Sequence, residues 1–286
     1  MMKLIQYCTK ASLYDGPFGG GAGWAAAGMG YVLVGERGEL VVIDGGNTED
    51  AEEFLVLLEK LAGGKPWVRR WIITHPHGDH YGALLAICRE PALAERLRVE
   101  ELVYRFPEEF RMTQGADCSG GIGDLKKISE VTGANVHIPC EGEDFETDGM
   151  KFTMLFTPED CSTLHNPNEL SLIFTIDMDG KRVLITGDAY RGTLQRTLDL
   201  HKTEIACDIL QLPHHGLCDT GLVEFYRAAG AKTVLVPISR AGDRTMASDM
   251  YGDAPEANRF AQQMAEKVYK AFEGTAALEF DSSCAG

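Results

Sequence analysis

"IITHPHGDHYGAL", residues 72–84, places three histidines and an aspartate within six consecutive positions directly behind an apolar, β-branched run. The run delivers the chain as a strand to a turn where His75 and His77 stand two apart and Asp79 and His80 are adjacent. Two histidines so spaced can reach one ion, and the Asp-His pair, displaced by the turn, can reach a second. Imidazole nitrogen and carboxylate oxygen are donors that zinc and similar divalent ions take, and this arrangement builds a two-metal hydrolytic centre. The competing explanation is a histidine-rich surface turn. With 8 histidines among 286 residues, three within six positions argue against chance.

Outward from this stretch, short β-branched runs bounded by Gly, Asp and Pro predict strands: "YVLVGE" from 31, "LVVIDGG" from 40, "WIITH" from 71, "FTMLFT" from 152, "LSLIFTID" from 170, "RVLITGD" from 182, "DILQLP" from 208 and "TVLVPIS" from 233. "TEDAEEFLVLLEKLAGG" (48–64) predicts a helix, with Thr48 as cap, acids in its first turn and Gly-Gly at its end. "DAPEANRFAQQMAEKVYKAFEG" (253–274) predicts another, with Pro inside its start and Gly closing it. Further helices are expected near 82–90, 123–132, 191–201 and 220–229. This order suggests two sheets covered by helices instead of one doubly wound sheet. Without a linker or low-complexity segment, one domain over 1–286 is expected. Region 105–122 has the weakest periodicity and is expected to be an insertion or lid near the site. "FGGGAG" (18–23) lacks the Gly-Lys-Ser/Thr ending of a phosphate loop and reads as a mobile N-terminal loop.

Two later strand ends carry donors of the same kind. "VLITGDA" ends on Asp188, and "DILQLPHHG" on His214 and His215. Alone, each is an ordinary turn or loop residue. Beside the first motif they gain weight, because an aspartate between two ions can hold one with each oxygen.

Composition narrows the partners. Positive side chains number 27 and negative ones 43, for a net charge of −16, and the longest basic groups are "VRR" (68–70) and "LKK" (125–127). Extended nucleic acid is therefore disfavoured, and a small-molecule substrate is expected. The 8 cysteines contain no C-x-x-C pair, consistent with free thiols in a reducing cytosol. "MMKLIQYCTKASLYDG" has no apolar signal core, and no run is long enough to span a bilayer, so a cytoplasmic protein is expected.

Four pieces, "VVIDGG" with Asp44, "THPHGDH" with its H-x-H-x-D-H pattern, "LITGDA" with Asp188, and "LPHHG", together resemble the metallo-β-lactamase-fold hydrolase superfamily, in its order, from about residue 31 to about 216. The resemblance implies an α/β fold: an αββα sandwich of two mixed β-sheets flanked by helices, with metals at one edge between strand ends. It implies two divalent ions, zinc first, with manganese or iron as alternatives. His75 and His77 would hold the first ion, Asp79 and His80 the second, and Asp188 would bridge them. Asp44 would support the metal-binding loop without being a ligand.

One departure bears on the first ion. Many members place a further histidine before the bridging aspartate, and here that segment reads "TPEDCSTLHNPNELSLIF" (157–174). Asn166 and Asn168 stand nearest the expected position, and His165 lies slightly too far upstream. Asparagine for histidine, together with "PHHG", looks most like the branch holding the metallohydrolase domains of DNA-uptake competence proteins and phosphorylcholine esterases. His215 would then take the last-histidine role on the second ion. His214 would complete the first ion's shell or act as a proton donor, with His165 open as the missing ligand. His137 and His201 read as surface residues.

The implied chemistry is hydrolysis by a hydroxide bridging the ions, oriented by Asp79, with His214 protonating the leaving group. A phosphodiester or related small ester is the expected substrate. Lactones, thioesters or β-lactams are the alternative, since they yield to the same chemistry. A redox diiron protein is disfavoured, because such relatives carry a glutamate where His77 stands and a flavin domain besides. A non-catalytic metal-binding module is disfavoured by the cost of holding His75, His77, Asp79 and His80 together without an ion.

Overall fold

The computed structural model describes residues 1–17, 28–106, 119–159, 166–217, 220–248 and 255–280. Its strands form two sheets. The first contains β1 (Met2–Gln6), β2 (Gly30–Val34), β3 (Leu40–Asp44), β4 (Trp67–Ile72), β5 (Arg98–Val99), β6 (Glu101–Val103), β7 (Asn135–His137) and the final strand β15 (Ala276–Phe280). They run in the order β15-β1-β2-β3-β4-β6-β7, with β5 also beside β4. The second contains β8 (Asp144–Thr147), β9 (Met150–Phe156), β10 (Ile173–Met178), β11 (Lys181–Ile185), β12 (Ile209–Gln211), β13 (Thr233–Val236) and β14 (Lys267–Lys270), ordered from β14 back to β8. Both are mixed: β15 to β3 and β8 to β11 pair antiparallel, and the remaining neighbours pair parallel.

The near-continuous apolar runs reflect burial on both faces. In β3, Val41 and Ile43 enter the core between the sheets, while Leu40 and Val42 enter the core under the first helical layer. In β13, Leu235 faces the inter-sheet core and Val234 and Val236 the opposite helical layer. Successive side chains alternate faces, so each central strand serves two cores. Helices α1 (Ala51–Ala62), α2 (Gly78–Arg89), the short α3 (Pro91–Ala94) and α4 (Ser119–Thr132) lie on the first sheet, with Phe54, Leu58, Leu84 and Ile128 among the buried contacts. On the second lie α5 (Arg191–His201), α6 (Val223–Ala229), α7 (Arg240–Ala247) and α8 (Glu256–Met264), through Leu194, Phe225, Met246 and Ala261. The expected αββα sandwich of two mixed sheets is the observed fold. No helix among the described residues is long and apolar enough to cross a membrane.

Several elements differ from expectation. The pattern over 253–274 does not form one helix: α8 stops at Met264, Ala265 is extended (φ −74°, ψ 144°), and Lys267–Lys270 pairs parallel with β13 as strand β14. Sheet pairing overrides the local helical pattern there. Strand β1 sits in the N-terminal stretch, where no strand is predicted, and pairs along its length with β15. Asn47, not Thr48, caps the turn that leads into α1. The expected lid lies mostly, and "FGGGAG" wholly, outside the described residues.

Candidate metal centre

Strands β3, β4, β11, β12 and β13 end at one edge of the sandwich, where the histidines and acids gather. Beyond β4 the chain runs through Thr74 and His75 to His77, the N-cap of α2. Asp79 and His80 therefore lie in the first turn of a helix, not in a loop, and Asp79 sits where a helix N-terminus favours a carboxylate. Asp188 follows β11, and His215 follows β12 in a turn where His214, His215 and Gly216 all have positive φ (48°, 57° and 75°). Left-handed backbone at two histidines stores strain of a kind that concentrates at functional sites.

Two groups of ligand-type atoms result, each with members within 4.8 Å of one another: Asp79, His80, Asp188 and His215, and His75, His77 and Asp188. Asp188 belongs to both. Its Oδ2 lies 3.3 Å from Nε2 of His80, 3.3 Å from Nε2 of His215 and 3.7 Å from Nε2 of His75. Asp79 Oδ2 is 3.2 Å from His215 Nε2, and His75 Nε2 is 2.9 Å from His77 Nδ1. At 23% side-chain exposure Asp79 is the group's solvent-facing member, whereas His75, His80, Asp188 and His215 are buried.

The imidazoles are aimed from behind. Asp44 (φ 59°) accepts the Thr74 backbone N–H (2.8 Å), the Thr74 hydroxyl (2.9 Å) and His80 Nδ1–H (2.8 Å). His215 Nδ1–H donates to the Pro237 carbonyl at 2.9 Å. Each bond fixes the tautomer that turns Nε2 toward Asp188. The residues fit divalent ions: His80 Nε2, His215 Nε2 and Asp188 Oδ1 are buried without a hydrogen-bond partner, and together they make a mixed nitrogen and oxygen donor set.

Burial opposes charge on all these groups, and their neighbours decide the outcome. For His80, Asp188, Asp44 and Asp79 outweigh burial and hold the pKa well above the ordinary histidine value. For His215, Asp188 and Asp79 do the same, to about 10. Asp188 is held well below the carboxylate range by His215, His80 and His75 against its own burial, and Asp79 is lowered by His80 and His215. His75 is pushed down by burial and by His80, and His77 by burial. The protein groups alone thus hold positive charge between two carboxylates, at the position where cations would sit.

The family model of the metallo-β-lactamase superfamily matches residues 27–237, a span that contains every residue of both groups. The chain belongs to the metallo-β-lactamase superfamily. No curated protein matches it in sequence. Similar solved structures include the metallo-β-lactamase fold protein YhfI from Bacillus subtilis, 13% identical, TM-score 0.53, covering 97% of this chain and 99% of that one. Zinc-bound PqqB from Methylobacterium extorquens is 13% identical with TM-score 0.56, over 98% of this chain and 100% of that one. CmlA, a diiron β-hydroxylase from Streptomyces venezuelae, is 13% identical with TM-score 0.55, over 97% of this chain and 54% of that one. At such identities the likeness is one of fold.

As a member of this superfamily the chain assembles six of the seven expected site residues into the two groups. His214 stands outside both. Its ring packs edge-on to Tyr190 at 5.3 Å and lies 6.0 Å from that of His215, and its backbone N–H donates to the Gly187 carbonyl at 3.1 Å. Burial lowers its pKa to about 4. His165 lies outside the described residues. His137 and His201 are half-buried beside Glu143 (2.7 Å) and Glu141 (3.5 Å), away from the centre.

Four supporting residues went unnoticed in the sequence. Thr74 binds Asp44. Ser171 Oγ accepts the Asp188 N–H at 2.9 Å. Buried Gln211 donates to the Gly187 carbonyl (2.9 Å) and the Leu212 carbonyl (2.7 Å) while accepting the Thr186 N–H (2.8 Å), tying the Asp188 loop to the histidine turn. Tyr190 stands two residues beyond Asp188. Only Tyr190 left a local trace, an aromatic directly behind "GDA".

Proposed function

We propose that this protein is a dinuclear metal-dependent hydrolase acting on a phosphodiester or related small ester. The observation that carries the proposal is the shared membership of Asp188: one buried carboxylate belongs to a three-residue group on one side and a four-residue group on the other. Two divalent ions held there would lower the pKa of water toward neutrality and draw electrons from the scissile group. His75 and His77 would hold the first, Asp79, His80 and His215 the second. Asp79, the solvent-facing carboxylate, can accept a hydrogen bond from the attacking water and orient it. His214, with a pKa near 4, is neutral at pH 7, which suits it to hydrogen-bonding the leaving group instead of serving as a standing acid. Phosphoryl substrates are preferred over carbonyl ones because asparagine for histidine in "HNPNELS" combined with "PHHG" favours the competence-protein and phosphorylcholine-esterase branch.

The test is a panel of chromogenic phosphodiesters, phosphomonoesters, lactones and β-lactams on protein of measured metal content. Diesterase activity that disappears with a chelator and returns with zinc or manganese supports the assignment. A lactone or β-lactam cleaved fastest transfers the preference to carbonyl substrates. Metal-loaded protein inert to the whole panel defeats the hydrolase assignment.

A further inference from the structure

Directly behind Asp188, Tyr190 occupies the position before the first turn of α5, in extended conformation (φ −90°, ψ 169°). Its phenol oxygen is gripped by two amides: Asn168 Nδ2–H donates to it at 3.0 Å and Asn166 Nδ2–H at 3.4 Å. The asparagines are themselves fixed. Asn166 caps the turn Pro167–Leu170, its Oδ1 accepting the Asn168 backbone N–H at 2.9 Å while its own N–H donates to Glu169 at 3.0 Å. A phenol oxygen offers two lone pairs and one hydrogen. With both lone pairs taken, no acceptor for the hydrogen is found among the described residues.

Two buried atoms on the side chains that touch Tyr190 lack a partner. Asn168 is 4% exposed and its Oδ1 has no partner, and His214 Nδ1 is buried without one beside the Tyr190 ring. A hydroxyl donor, an amide acceptor and an imidazole nitrogen thus sit on three linked side chains, with Tyr190 hydrogen-bonded to Asn168 and packed on His214. Interiors seldom leave such atoms unpaired, and a polar ligand seated at the metal centre would pair them. Asp188, two residues before Tyr190, is shared by both groups, and the smaller one, His75, His77 and Asp188, supplies three protein donors against four in the other.

We propose that Tyr190 is a substrate-binding residue whose hydroxyl donates to a non-bridging oxygen of the phosphoryl group, aimed by Asn168 and Asn166. This rests on the hydrolase proposal. The alternative is that Tyr190 merely pins the 166–170 turn.

Inorganic phosphate serves as the probe, with bis(p-nitrophenyl) phosphate as substrate. Zinc-loaded parent, Tyr190→Phe and Asn168→Ala are compared for metal content, melting temperature, phosphate dissociation constant, kcat and KM. Tyr190→Phe is expected to keep its metal and melting temperature while phosphate affinity and kcat/KM fall about 10- to 100-fold, the effect of one hydrogen bond to a charged group. Asn168→Ala should move the same quantities in the same direction by less. Phosphate affinity and kcat/KM within about twofold of the parent in Tyr190→Phe overturn the assignment of Tyr190. So does a drop in metal content or melting temperature with phosphate binding unchanged in the loaded fraction, which marks a structural pin. A metal-loaded parent that neither binds phosphate nor cleaves the diester defeats the phosphoester proposal itself, and the Tyr190 inference falls with it.

Discussion

Asp44 holds a left-handed conformation at the end of β3 and meets three donors with its two oxygens: the Thr74 N–H, the Thr74 hydroxyl and His80 Nδ1–H. An amide in its place has one acceptor oxygen and must turn an N–H₂ toward one of those donors. Asp44→Asn is therefore expected to weaken metal binding at the Asp79, His80, Asp188 and His215 group by about 10- to 100-fold, the usual cost of disturbing a ligand's supporting hydrogen bond. Competition with a chromogenic chelator reads this directly, and unchanged affinity would show that His80 does not depend on Asp44 for its aim. Asp188→Ala removes the carboxylate common to both groups. Folded variant protein should bind at most one ion tightly and lose at least about a thousandfold in kcat/KM, several kcal/mol of transition-state stabilisation. Parent-like turnover in that variant would sink the dinuclear assignment.

At the scale of elements, the loop after β11 is built with almost no free space. Gly187 has φ 54°, and a Cβ there would lie 2.9 Å from Ser171 Cβ and Oγ and 3.0 Å from Thr74 Cβ. Strain and overlap both oppose a side chain, so Gly187→Ala should destabilise the protein by about 2–4 kcal/mol in urea unfolding. Gly192→Ala is the control. It lies in α5 with nothing near its Cβ position and should be neutral or stabilising by up to about 1 kcal/mol. Equal effects at the two sites would refute the packing account of this loop. These elements also show why legibility differed along the chain. His75, His77, Asp79 and His80 were readable because their donor chemistry sits within one short span behind one strand. Strands with continuous apolar runs, such as β3 and β11, were readable because burial on both faces leaves that mark. Strands β1 and β15 pair across the whole length of the chain, and β14 carries no pattern that separates it from α8; their partners, not their composition, make them strands. Gln211 and Ser171 were silent for the same reason, since a hydrogen bond between distant loops has no local signature.

For the molecule as a whole, the centre couples metal, protons and stability. Folded, metal-free protein holds His215 at a pKa of about 10 and His80 well above the ordinary histidine value, because the surrounding aspartates outweigh burial. Both rings are ligands in the proposed site and must lose their protons to bind an ion. Zinc binding near pH 8 should therefore release about two protons, seen as a dependence of the calorimetric enthalpy on buffer ionisation, and affinity should rise with pH between about 7 and 9. Stability moves oppositely in the two forms. A pKa raised on folding contributes stability that is fully present below the unfolded histidine value near 6.5 and fades as pH climbs toward the folded value. Asp79 and Asp188, whose pKa values are lowered, contribute above the ordinary carboxylate range, and His75, His77 and His214, held low, reach their full contribution about one unit above the unfolded histidine value, so all five stay constant above about pH 7.5. Metal-free protein should thus lose stability from about pH 7.5 to 9, while bound ions add a term that grows with affinity over the same range. The difference in melting temperature between zinc-loaded and chelated protein should widen steadily with pH. A difference that stays flat or narrows would mean that His80 and His215 do not exchange protons for metal, and would remove them from the ligand set.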